Sequence, residues 1–190
     1  MNIEYEATFI NIDKDEMREK LREAGAVLAK PEFLQKRMVF NLPRENEING
    51  SWLRVRDEGD KITMSLKIVD GDKIENQREV CLKVDSFDEA VKMLEMIGAR
   101  RKSYQETKRE LWLMDNVYIT IDEWPFLEPF VEVEGASEEI VRKVSEKIGF
   151  NYNDALFCAV GKVYELKYGI PEKEINNNYP LITFEMENPF

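Results

Sequence analysis

Glu4 and Glu6, Glu132 and Glu134, Arg54 and Arg56, and Ser65 with Lys67 each stand two positions apart in this chain. Alternate side chains of a β-strand share a face, so each pair projects from one side with a separation of about 7 Å. Carboxylates placed in this way can share a divalent cation through oxygen. Guanidinium and ammonium groups can take the phosphate oxygens that such a cation neutralises. The chemistry implied is the binding of a metal-bridged polyphosphate. A solvated strand face is the ordinary explanation of any single pair. The segregation of sign departs from it, because two strands carry acids only while others carry bases only.

The elements that must position these residues are amphipathic strands. Ile3, Tyr5, Ala7 and Phe9 alternate with the first pair, Leu53 and Val55 with the arginines, and Val131 and Val133 with the last pair. Those apolar faces require burial. Helical spacing predicts helices over 13–24, 86–97, 137–148 and 154–168. The first opens at Asp13 and stops at Gly25. The second opens on a Ser86 to Glu89 capping box and stops at Gly98. The fourth carries Leu156, Val160, Val163 and Leu166, a stripe suited to a core or a dimer face.

An internal repeat organises these elements. Glu6, Thr8, Asp13 and Gly25 correspond to Glu79, Cys81, Ser86 and Gly98 at a constant offset of 73, and after a one-residue shift Lys36 and Arg37 correspond to Lys108 and Arg109. Each half therefore reads strand, helix, then several antiparallel strands. Two such curved sheets predict an α+β fold, an antiparallel β-barrel tunnel with flanking helices, which reduces exposed sheet edges. Ser65 and Lys67 in the first half stand where Glu132 and Glu134 stand in the second, so one wall is expected to be basic and the other acidic. The barrel domain is assigned to residues 1–170. A tail of 171–190 follows, with Pro180 and Pro189 arguing against a central strand, and its place is left open.

Composition narrows the function classes. The net charge is −11, with 27 Lys and Arg against 38 Asp and Glu, which argues against nucleic acid as the main partner. No apolar run approaches a membrane span, and the chain begins directly on a strand pattern, so no membrane partner and a cytoplasmic location are expected. Cys81 and Cys158 are too few for a disulfide framework or a zinc site, and with no His the Ser-His-Asp schemes fall away.

The residues Glu4 to Thr8, Leu53 to Arg56, Lys67, Arg109 and the segment from Asp122 to Gly135 resemble the CYTH superfamily, the triphosphate tunnel metalloenzymes, with the class IV adenylyl cyclase-like members nearest. The resemblance spans about residues 1–170. It implies a tunnel barrel and a divalent cation, Mg²⁺ or Mn²⁺, held by Glu4, Glu6, Glu132 and Glu134. It further implies a triphosphate held by Arg54, Arg56, Lys67 and Arg109, with Asp122 beside the metals and Glu4, Glu6 and Asp122 as the catalytic acids. The substrate is expected to be a triphosphate-containing small molecule: ATP, thiamine triphosphate or tripolyphosphate. A homodimer is left open.

The chain departs from the family pattern at Thr8, where the Glu-x-Glu-x-Lys signature has lysine. Arg37, on the same strand face as Gln35 and Val39, and Lys83, on the same face as Glu79, are the expected replacements for the missing cation. Three readings follow: a metal-dependent triphosphatase or adenylyl cyclase, a catalytically weak triphosphate-binding module, and an interaction protein with a relic tunnel.

Overall fold

The computed structural model describes residues 1–190. Its strands are β1 (Asn2–Ile3), β2 (Tyr5–Phe9), β3 (Val27–Asn41), β4 (Ser51–Asp57), β5 (Ile62–Val69), β6 (Gln77–Val84), β7 (Arg100–Met114), β8 (Val117–Glu123), β9 (Phe130–Gly135) and β10 (Leu181–Ile182). The helices are α1 (Lys14–Ala24), α2 (Phe87–Met96), α3 (Glu138–Lys147), α4 (Val160–Tyr168) and α5 (Glu172–Asn178). The sheet runs β1-β6-β5-β4-β3-β7-β8-β9-β2, antiparallel throughout, with β10 added in parallel beside β7. Because β1 and β2 are successive parts of one N-terminal strand, that strand bridges β6 to β9 and nearly closes the sheet into a barrel. Backbone bonding continues across the join, where the Glu4 amide donates to the Gln77 carbonyl at 2.9 Å.

The repeat is visible in the pairing of the two long strands. β3 lies antiparallel to β7, Val27 opposite Leu113 and Asn41 opposite Arg100, so the halves meet about a pseudo-twofold at the centre of the sheet. The helices before these strands end alike, at Gly25 with φ +89° and Gly98 with φ +92°, a left-handed conformation that glycine adopts without a Cβ clash. Their starts are alike too. Asp13 accepts from the Asp15 and Glu16 amides, and Ser86 accepts from the Glu89 amide.

Apolar residues between the charged pairs face outward under the helices. Ala7, Phe9, Ile119, Ile121, Val131 and Val133 pack with Met17 and Leu21 of α1 and Val141 and Val144 of α3. Phe40 and Val55 pack under Ala90, Val91 and Leu94 of α2. Burying these faces leaves the charged faces no choice but the interior.

The fourth helix is shorter than the expected 154–168. Residues Tyr152–Asp154 form a 3₁₀ turn and α4 begins at Val160. Leu156 instead pairs with Thr8, each amide donating to the other's carbonyl at 2.9 Å, because the outer edge of β2 offers unsatisfied backbone groups there. Leu156 is therefore extended, and Leu166 is exposed rather than core. The tail packs on the barrel. Ile175 and Ile182 join Trp124, Leu127, Phe130, Val163 and Tyr164 in a third core cluster, and Phe190 stacks on Tyr168 with ring centroids 4.9 Å apart.

Candidate metal and polyphosphate site

The interior of the barrel holds a cavity of about 820 Å³ lined by Glu4, Glu6, Arg37, Arg54, Arg56, Lys67, Glu79, Arg109, Glu132 and Glu134, among others. Alternation on β2 and β9 turns Glu6, Glu132 and Glu134 inward, and register sets Glu6 directly opposite Glu134. Like charges so placed repel. Glu4 lies beside them, and carboxylate oxygens of Glu4, Glu6 and Glu134 fall within 4.8 Å of one another. Burial, with the neighbouring Glu132, pushes the Glu6 carboxyl well above its ordinary pKa, and Lys67 only partly opposes this. Burial and Glu4 raise Glu134 in the same direction. Three hard oxygen donors whose mutual repulsion a cation would relieve fit Mg²⁺ or Mn²⁺.

Glu132 has a different set of partners. Its Oε2 accepts from Arg109 Nη2 at 2.6 Å, and Arg109 also donates to Asp122 through Nε at 2.6 Å and Nη2 at 2.7 Å. Asp122 is fully buried and accepts as well from the Thr120 hydroxyl at 2.8 Å. Its role in the structure is to fix the Arg109 fork. Burial and Asp122 raise the Glu132 carboxyl to about 7, against the pull of Arg109. The structure thus brings Glu4, Glu6 and Glu134 into one cluster, with Glu132 at its edge on the arginine.

The basic wall comes from β3 to β5. Lys67 meets Glu4 at 2.7 Å, Arg54 meets Glu79 at 3.1 Å and Arg56 meets Glu58 at 2.7 Å. Burial opposes the charge on Lys67, but Glu4 and Glu6 outweigh it and raise its pKa. For Arg56, burial and Arg54 win over Glu58 and lower it to about 10. The Nε groups of Arg37, Arg54 and Arg56 are buried without a hydrogen-bond partner. Orphaned charged donors converging on a cavity suit an anion with many oxygens.

Arg37 reaches the interior as expected. It donates to Gln35 at 2.9 Å and Thr107 at 2.6 Å, with its guanidinium 4.5 Å from the Trp124 ring centroid, and no carboxylate neutralises it. Burial and the nearby Arg54, Arg56 and Arg109 hold its pKa well below the usual arginine value. Thr8 is buried opposite Glu132. Lys83, by contrast, is exposed and lines no part of the cavity, and Cys81 is exposed too. β1 covers only Arg78 and Glu79, so the barrel wall ends there and the inward face of the remaining β6 opens to solvent. Sequence reasoning missed the arginine partner Glu58, which sits in a turn with no periodic signal. It missed Lys102 in the cavity wall as well, and it named Glu79 without its role.

A family model described as the CYTH domain matches residues 2–163. Among solved structures, a Vibrio parahaemolyticus protein described as a candidate adenylate cyclase superposes with a TM-score of 0.74 at 14% identity, covering 86% of this chain and 98% of that one. A Pyrococcus horikoshii protein gives 0.67 at 19% identity over 82% and 96%. A Hippeastrum protein, reported as a candidate adenylyl cyclase with a dominant triphosphatase activity, gives 0.57 at 14% identity over 90% and 99%. These likenesses are of fold. A search of curated proteins finds no match.

Proposed function

The chain belongs to the CYTH domain family, and from that premise we propose that it is a divalent-metal-dependent enzyme acting on a triphosphate-containing small molecule. The observation that carries this reading is the facing of Glu4, Glu6 and Glu134 by arginines whose buried Nε donors lack partners. Mg²⁺ or Mn²⁺ held by those carboxylates supplies charge neutralisation and Lewis acidity toward phosphate oxygens. Arg54, Arg56 and Lys67 bind and orient the phosphate chain. Arg109, held in a fixed fork by Asp122, stabilises charge that grows on the transferred or leaving group. Glu132, held by Arg109 at the edge of the acidic cluster, joins the two walls of the site. Hydrolysis uses water as the nucleophile and cyclisation of ATP uses a ribose hydroxyl, and the same walls serve either.

The alternative is a triphosphate-binding module with little turnover, favoured by Thr8, which is buried where the family has lysine. No helix is long and apolar enough to cross a membrane. We place the protein in the cytoplasm, with residues 1–170 as the tunnel domain and 171–190 as an appended segment.

Tripolyphosphate, thiamine triphosphate and ATP, each with Mg²⁺ or Mn²⁺, test the reading when phosphate, pyrophosphate and cyclic AMP are followed together. Turnover of at least one, with KM raised roughly tenfold or more in Arg54→Ala from loss of a charged hydrogen bond, is expected. Binding of a triphosphate without product selects the module. Neither binding nor product overturns both.

A further inference from the structure

Lys102 reaches the cavity through a defect in the sheet. Val39 of β3 lies opposite Ser103 of β7 and Phe40 lies opposite Arg101, so Lys102 is the extra residue of a β-bulge. Ser103, Gln105 and Arg109 alternate along the cavity side of β7, and an unbroken ladder would turn Lys102 outward. The bulge re-aims it, and Lys102 lines the cavity half-buried.

Its amine is also unpaired. Arg54, Arg56, Lys67, Arg109 and Lys162, which share the lining, each have a carboxylate partner, and besides Lys102 only Arg37 and the exposed Lys173 of the lining lack one. Lys102 has none within ion-pairing distance. Burial holds its pKa below that of an ordinary lysine, and the single charge that opposes this is the more distant Glu172 on α5. A half-buried cation without a partner is costly unless a ligand supplies one. Register fixes its place relative to the basic wall. Val39 is opposite both Ser103 and Arg54, so Lys102 lies about one residue beyond the level of Arg54 and two strands away, roughly 10 Å around the barrel.

We propose that Lys102 is a further substrate ligand, binding the phosphate at the end of the chain nearest α5; the inference rests on the triphosphate reading above. Arg54, Arg56, Lys67 and Arg109 grip the phosphates nearest the acidic cluster. Lys102 reads the next one, so it distinguishes a triphosphate from a diphosphate.

The test is titration calorimetry of the full-length protein with tripolyphosphate and with pyrophosphate in Mg²⁺, comparing wild type, Lys102→Met, Lys102→Arg and Arg54→Met. Lys102→Met is expected to bind tripolyphosphate roughly tenfold or more weakly, as for a lost charge-assisted hydrogen bond, while pyrophosphate affinity stays within about twofold. Lys102→Arg keeps most of the affinity. Lys102→Gln serves if the methionine variant melts at a lower temperature than wild type. Wild-type affinity for tripolyphosphate in Lys102→Met, or equal weakening of both anions, overturns the inference while Arg54→Met still shows the phosphate site. Failure of the wild type to bind either anion instead removes the triphosphate reading, and this inference with it.

Discussion

Replacing Glu6 with Gln separates the electrostatic cost of the acidic cluster from its use. Oxygens of Glu4, Glu6 and Glu134 lie within 4.8 Å, and two unit charges at that separation repel by about 3.5 kcal/mol at an effective dielectric constant of about 20. Three ionised carboxylates would contain three such pairs, and burial with Glu132 pushes the Glu6 pKa well up, so without metal Glu6 holds its proton to a higher pH than an ordinary glutamate does. The sign follows from linkage. The unfolded chain releases this proton near the ordinary glutamate pKa and the folded chain retains it, so stability falls as pH rises above that value. The fall is about 1.4 kcal/mol per pH unit until the folded-state pKa is reached. Gln does not titrate. In chelator, Glu6→Gln is therefore expected to match wild type near pH 4 and to exceed it above that by a margin that grows with pH until the folded-state pKa is passed. Metal reverses the order, because the variant has lost a charged oxygen ligand. Its Mn²⁺ affinity should fall by at least about tenfold, the lower end of what even outer partners of metal ligands cost. Urea unfolding in chelator at pH 4, 6 and 8, with calorimetric Mn²⁺ titration, reads both effects. A variant-to-wild-type stability difference that is the same at every pH, or an unchanged Mn²⁺ affinity, refutes the reasoning.

Arg37→Met should stabilise the anion-free protein by about 1 kcal/mol, since it removes a buried cation crowded by Arg54, Arg56 and Arg109, and should weaken tripolyphosphate binding about tenfold. Melting curves with and without tripolyphosphate check it, and lower stability with unchanged affinity would make Arg37 a structural stack on Trp124 only. Ending the chain at residue 170 uncovers the Trp124, Phe130 and Tyr164 cluster and removes buried Ile175 and Ile182, each worth about 1.5–3 kcal/mol. The truncated protein should unfold at clearly lower urea, and an unchanged midpoint would show that the tail contributes no net stability.

Much of the barrel was legible because period-2 alternation and helix-terminal residues are local. Asp13, Ser86, Gly25 and Gly98 mark their helices from within a few residues, and the apolar alternates of the charged pairs could only face a core. The repeat offset carried the pseudo-twofold of β3 and β7. By itself, then, the sequence determined which side of each strand is charged and that two like halves must pair. Which charges meet was decided by tertiary structure alone, because register, closure and bulges depend on partners far away in the chain. Glu132 turns to Arg109 since Asp122 holds that arginine beside β9. Lys83 lies past the pairing of β1 with Arg78 and Glu79, on an exposed stretch of β6. Leu156 gives up a helix to satisfy the edge of β2, and Lys102 enters the cavity through one unpaired residue of β7, a displacement no local pattern encodes.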